Sequence, residues 1–391
     1  MALKYLYVPS GYKAGKTYGV LPNEAAADLA FVRGSSATRI NANGLVETMG
    51  NNVPRLDYTD GSCPTLLTEP ESTNLVAESA EGIYGNPPDS ETQTLAPDGT
   101  NTAVIPTVGD LADRYQYTIS AGSATGDTKI TYSWYRKRLS TPSEDPNQTG
   151  DLEIKGLVNC IQDGSTIQIG SDIGGYDRFS ATFDVIDGSL EAKIRLYFGE
   201  VVGIGNSSVA YFGHQVEIGA NATSYIPTDT DSTSTRINDR GNFAGNFEFN
   251  GNEGVLEARF KAFTTDNTSR RITLGATQYN RVVLGYGYNN GTVKPYLLIV
   301  GATGNDEVYI SMPSSFNIFD YNTYQLKFQS GNNELKINGE LVDTDTSFNT
   351  LNFTFSEALR NVSFNYYASS TTTVFYGGVK HIKVYDSITD F

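Results

Sequence analysis

The sequence predicts an all-β protein: tandem antiparallel β-sandwiches of jelly-roll kind, with an extended N-terminal arm and strap. Three observations predict it. The chain has 39 Gly, 25 Tyr and 19 Phe against three Met, with long runs of Thr, Ser and Asn, a composition suited to strands and tight turns. Apolar residues alternate in segment after segment, and none sustains a 3.6-residue period over three turns. The alternation also stops near Asp229 and restarts at Gly254, so the 391 residues divide into two cores.

Residues 1–30 hold too little apolar content for a core of their own. Tyr5 to Val8 make one short strand, Pro9-Ser10-Gly11 a turn, and Glu24 to Leu29 the best helical candidate, of a turn or two. This arm is expected either to pack on the first domain or to order on a partner. Residues 31–75 form the strap. Pro54, Pro64 and Pro70 interrupt it, and proline removes a backbone donor, so it is neither helix nor central strand. Its Thr38-Arg39-Ile40-Asn41-x-x-Gly44 returns as Thr235-Arg236-Ile237-Asn238-x-x-Gly241, which suggests two straps, one ahead of each domain.

Residues 76–228 form the first sandwich. Ile130, Tyr132 and Trp134 share one face of a strand, while Thr131, Ser133 and Tyr135 take the other, and Trp134 is read as core. Thr166–Ile169, Arg178–Val185, Ala192–Tyr197 and Val209–Val216 continue the pattern between Asp-Gly and Gly-Gly turns, and the polar loop 139–150 is expected to be exposed. Residues 229–242 are the linker and second strap.

Residues 243–391 form the second sandwich. Leu256, Ala258, Phe260 and Ala262 point inward, and strands follow at 281–286, 296–300 and 308–312. A hairpin then joins Tyr324–Phe328 to Glu334–Ile337 and runs into Asn338-Gly339, a strong short-range turn signal. Val379–Tyr385 is the last strand.

Net charge is −16, from 28 Lys and Arg against 44 Asp and Glu, which disfavours nucleic acid and anionic membranes as partners. The N-terminus lacks the apolar run of a signal peptide and no 18-residue apolar span exists, so synthesis in a cytoplasm is expected. Cys63 and Cys160 are expected to be buried free thiols. His214 and His381 lie in alternating strands without metal-type or triad spacing and are read as structural. Glu334, Glu340, Asp343 and Asp345 cluster in turns, where acids are solvated, and do not form the paired carboxylates of glycoside hydrolysis. The chain is therefore not expected to be an enzyme, and no cofactor is expected.

Two kinds of site remain. Asp229, Asp231 and Asp239 are candidate oxygen ligands for a structural Ca²⁺, as are Asp184 and Asp187 by a turn. Sugar binding needs aromatic faces beside amides. Tyr286, Tyr288, Asn289 and Asn290 supply them in one expected loop, and Tyr366 and Tyr367, after Asn365, in another. The competing reading of each cluster is packing, since a β-protein with 25 Tyr places many at sheet edges.

The strap motifs ATRINANGLVE, NVPRLDY, CPTLLTEP and ESTNL, in that order, resemble a segment common in bacteriophage virion proteins, from tail fibres and head appendages. The resemblance takes in Tyr18 to Pro22, Pro97 to Thr100, Gly213-His214-Gln215-Val216-Glu217 and Thr223 to Thr228, roughly residues 15 to 240. In that family these pieces frame a sandwich like a carbohydrate-binding module. The second sandwich, through YQLKFQSGNN, KINGELV and HIKVYDSITD, resembles concanavalin-A-like and laminin-G-like lectin domains, a fold with many functions. Together these imply a virion structural protein, made in the host cytoplasm, that adheres to glycans. They also imply a homo-oligomer, a trimer for preference, attached to other virion proteins through its N-terminal region. The alternatives are an appendage that binds only neighbouring virion proteins and a secreted polysaccharide-active enzyme.

Overall fold

In a computed structural model the chain is all-β. The structure describes residues 2–107, 112–123, 129–139, 154–197, 209–242, 247, 249, 252–263, 268–312, 314–342, 344–365, 373–388 and 391. Among these, helix is confined to single turns at Ala25–Ala27 and Thr346–Asn349. Most of the polar loop 139–150 lies outside the described residues.

The chain makes two compact units. The terminal unit comprises Met1–Ser35, Met49–Pro70 and Ile237–Phe391, and the central unit Ser36–Thr48 and Glu71–Arg236. The chain therefore passes between them four times, after Ser35, Thr48, Pro70 and Arg236. The last passage falls inside the expected 229–242 linker, but the expected strap is shared between both units.

The central unit is a sandwich. One antiparallel sheet runs Tyr84–Asn86, Arg114–Ile119, Ala192–Tyr197, Ile154–Val158. The other runs Ser90–Thr94, Ala103–Thr107, Val209–Ile218, Lys129–Arg138, Tyr176–Val185, Cys160–Ile173. Ile130, Tyr132 and Trp134 enter the core between them, as the alternation predicts. Trp134 is 1% exposed and stacks on Tyr132 with ring centroids 4.9 Å apart. The other face of the strand is buried as well: Tyr135 packs with Phe212, Tyr225 and the strap residues Ile40 and Val46. The strap at this point is a hairpin, Ala37–Ile40 with Val46–Met49, whose turn is closed by Asn41.

The terminal unit packs two large sheets over one core. The larger runs Glu340–Val342, Glu334–Ile337, Asn322–Gln329, Glu253–Ala262, Gly377–Tyr385, Thr65–Thr68, Arg55–Asp57, with Leu3–Tyr7 also paired to Gly377–Tyr385. The smaller runs Asn305–Tyr309, Thr292–Val300, Asn280–Asn289, Arg270–Thr277, Asn361–Ser363. Asn338 (φ 52°) and Gly339 (φ 87°) close one hairpin, and Asn290 (φ 50°) with Gly291 (φ 81°) close another. Paired positive φ is the geometry that makes Asn-Gly turns match strand twist.

Four expectations are corrected. The strap does supply a central strand: Thr65–Thr68 is paired to Gly377–Tyr385 on one side and Arg55–Asp57 on the other, between Pro64 and Pro70. The N-terminal arm does not pack on the first sandwich: Leu3–Tyr7 pairs with the last strand of the second, with Tyr5 and Tyr7 fully buried in that core. The two Thr-Arg-Ile-Asn copies are not equivalent straps. The first opens the Asn41 hairpin, whereas Ser234–Arg236 pairs with Ser72–Asn74 and the chain leaves the central unit after Arg236. Cys160 is buried, but Cys63 is exposed; both are free thiols.

Candidate functional site

The motifs quoted above from distant parts of the chain meet in the central unit. Ser72 Oγ donates to Glu217 Oε1 at 2.6 Å. Asn74 Nδ2 donates to the carbonyls of His214 and Ile226, while its Oδ1 accepts from the amides of Val76 and Val216. Gln215 Nε2 donates to Glu217 Oε2, and Gln215 Oε1 accepts from the Ile226 amide. Thr223 donates twice more to Glu217, from its amide and its hydroxyl. Tyr225 Oη lies 2.8 Å from Ser79 Oγ. Asn74, Gln215 and Glu217 are 0% exposed, and a buried polar group is tolerable only when its partners are present. These residues therefore specify the fold. They are too occupied and too deep to meet a ligand.

A second buried constellation joins three stretches of the terminal unit. Arg33 Nη1 donates to Asp239 Oδ1 at 3.0 Å, and Arg55 bridges Asp239 Oδ2 and Glu69 Oε2. The Asp239 amide donates to the Glu69 carbonyl, and the Glu69 amide returns a bond to Asp239 Oδ2. Burial alone would lower the Arg55 pKa, but Asp239 and Glu69 more than offset it and hold the guanidinium charged.

Asp239 is thus taken by two guanidinium groups, which corrects its reading as a calcium ligand. Asp229 and Asp231 are exposed. Among the described residues no group of three or more acidic, His or Cys side chains is placed to hold a metal ion. Asp187 has its carboxyl lowered by hydrogen bonds from the Ser189 side chain and amide, and Asp184 is paired with Lys129.

The sugar-site candidates separate. Tyr286 is 1% exposed, packs tilted against Phe260 and edge-on to Phe375, and donates to the Tyr376 carbonyl, so it is core. Tyr288 is 38% exposed. It sits at the end of Asn280–Asn289, and Asn289 and the exposed Asn290 carry the chain into the turn. The cluster is therefore a strand end and hairpin tip, not a loop. Tyr366 and Tyr367 lie outside the described residues.

The histidines have partners. His214 is fully buried, its pKa pushed down to about 3 by desolvation, with Nδ1 2.7 Å from Tyr132 Oη. His381 Nε2 lies 2.8 Å from Glu257 Oε1, which also accepts from Lys383 Nζ, while Gln325 donates to Glu257 Oε2. Glu334 is bound by Lys327, and Asp345 caps the turn at Ser347, whose hydroxyl-side bonds and amide lower its pKa. Asp343 lies outside the described residues. The sequence reading missed Asn74, Gln215 and Glu217; polar residues at inward positions beside turn-like motifs were the signal available.

No family model and no curated protein matches the chain. Among solved structures, domains LG4-5 of the mouse laminin alpha1 chain match over 69% of this chain and 86% of that one, at 10% identity and a TM-score of 0.25. Likeness at that score carries no argument, so the all-β architecture rests on the sheets described above.

Proposed function

We propose that the protein is a structural component of a bacteriophage particle, a fibre or decoration subunit of tail or head, that adheres to glycans without chemistry. The observation that carries the reading is the convergence of the resembling motifs. Residues from ESTNL, GHQVE and TSYIPT, far apart in sequence, share one buried network around Asn74 and Glu217. Motifs that meet in space in this way act as one structural unit, which supports reading them together. The terminal unit then offers the contact surface, with Tyr288 and Asn290 at an exposed hairpin tip. An aromatic face stacks on a sugar ring while the amide bonds its hydroxyls.

Single sites of this kind bind weakly, and linked copies raise avidity by ~10²–10⁴. A homo-oligomer, for preference a trimer, meets that need. The arm gives no physical reason for a trimer, because its own unit covers it. A second reading, an appendage that binds only neighbouring virion proteins, is favoured by the number of motif residues that are purely structural. Immunogold labelling of purified particles with an antibody to this chain tests the placement. Labelled heads or tails support it; antigen confined to the particle-free supernatant refutes it.

A further inference from the structure

The larger sheet of the central unit ends in an edge strand unlike the others. Cys160–Ile173 runs for 14 residues and pairs with Tyr176–Val185; among the described residues no second strand pairs with its other side. Every other strand that ends one of the four sheets described above has five residues or fewer. A strand edge presents unpaired amide and carbonyl groups, a template for another strand, and proteins commonly block it with short edges, lysine, proline or cover. Cys160–Ile173 contains no lysine, arginine or proline. Bulges between Asp163 and Ile167 and again after Gln168 bend it, which confines regular pairing to a short stretch.

That stretch is bare and neutral. Residues 163–168 are all exposed, and Ile161 and Ile167 are 62% and 56% exposed. Residues 164–171 carry no charge, in a chain of net charge −16. The charged groups of this hairpin lie toward its two ends or under cover. Lys129 holds both Asp163 and Asp184 at one end. At the other, the Asp172 amide donates to Asp177, and Lys137 lies by Gly175 of the turn. Arg178, beside Gly170, is buried over the Tyr135 ring.

We infer that this edge joins two copies of the chain, by antiparallel pairing across a two-fold axis through Gln168. Copies of net charge −16 repel one another over most of their surface, and an uncharged edge is where two can approach to strand spacing. The stretch is also self-complementary. With Gln168 on the axis, Ile167 lies opposite Ile169 of the second copy, Thr166 opposite Gly170 and Asp172 opposite Gly164, so no carboxylate faces another. The two Gln168 amides meet, and each offers the other a donor and an acceptor. A contact of this kind is isologous and closes at two copies. It gives self-association a physical basis that the arm lacks, and it favours a dimer over a trimer. It holds whether or not the chain belongs to a particle.

The test is sedimentation of the full chain over about a hundredfold range of concentration, with hydrogen exchange at both ends of the range. The chain should be dimeric at the upper end and dissociate toward the lower, and the amides of residues 165–171 should exchange more slowly in the dimer. Ile167→Glu, at an exposed position, should raise the dimer dissociation constant at least about tenfold, with the melting temperature of the dilute monomer unchanged. Leu341→Glu replaces an apolar residue that is 63% exposed in the terminal unit, and it should dimerise as wild type. A chain that stays monomeric, or one that forms trimers, overturns the inference. So does an unaffected Ile167→Glu variant, or a Leu341→Glu variant weakened as much. If Ile167→Glu does not fold, exchange in the wild-type dimer decides: protection elsewhere with none at 165–171 refutes the edge.

Discussion

Arg33 and Asp239 lie far apart in the chain, and their side chains meet at 3.0 Å with neither exposed to solvent. With Arg55 and Glu69 they tie all three stretches of the terminal unit together. A buried ion pair is weak evidence for added stability, but removing one partner strands the other's charge. Asp239→Ala should therefore cost about 3–5 kcal/mol in urea denaturation of the terminal unit. A loss within 0.5 kcal/mol would show that the quartet is not desolvated as described.

The division of the chain makes a second prediction. A fragment spanning 243–391 lacks the strands Leu3–Tyr7, Arg55–Asp57 and Thr65–Thr68, which all belong to its larger sheet. Expressed alone, it should show no cooperative unfolding transition. The expectation that residues 243–391 make a sandwich by themselves is replaced by this one. A cooperatively melting 243–391 fragment would restore a contiguous domain.

Acid should act through Glu257. Burial would raise its pKa, but hydrogen bonds from His381, Lys383 and Gln325 outweigh that and lower it from 4.5 to about 2. A depressed folded pKa means that the unfolded chain takes up the proton first. The stability it contributes is present above about pH 4.5 and is lost as pH falls toward 2. Glu257→Gln should be less stable than wild type near neutrality, on the order of 1–3 kcal/mol, and the gap should close as the pH approaches 2. A gap that is constant across this window contradicts the linkage.

Tyr286 and Tyr288 share a strand face but not a role. Tyr286→Ala empties a core position and should cost about 3–5 kcal/mol. Tyr288→Ala should leave the melting temperature within about 2 °C of wild type, as exposed substitutions do. Calorimetry on both variants distinguishes them, and a large loss at Tyr288 would place it in the core.

That pair also shows where sequence reading succeeds and where it stops. Alternation correctly sent Ile130, Tyr132 and Trp134 inward, and Leu256, Ala258 and Phe260 likewise, because strand period is local. It marked the Asn338-Gly339 turn for the same reason. It could not separate Tyr286 from Tyr288, since the core ends between them and alternation carries no information about depth. Nor could it pair Leu3–Tyr7 with Gly377–Tyr385, or show Asp239 its two arginines, because contacts between distant segments leave no local pattern. Acidity was legible; the partner was not.

The most direct measurement is binding of the purified full chain, beside Tyr288→Ala, to a glycan array holding neutral and acidic host-surface polysaccharides. The account predicts reproducible binding to a subset of glycans, weakened several-fold in the variant, with no release of reducing sugar. Absence of binding to every glycan at multivalent density, or cleavage of any of them, would contradict it.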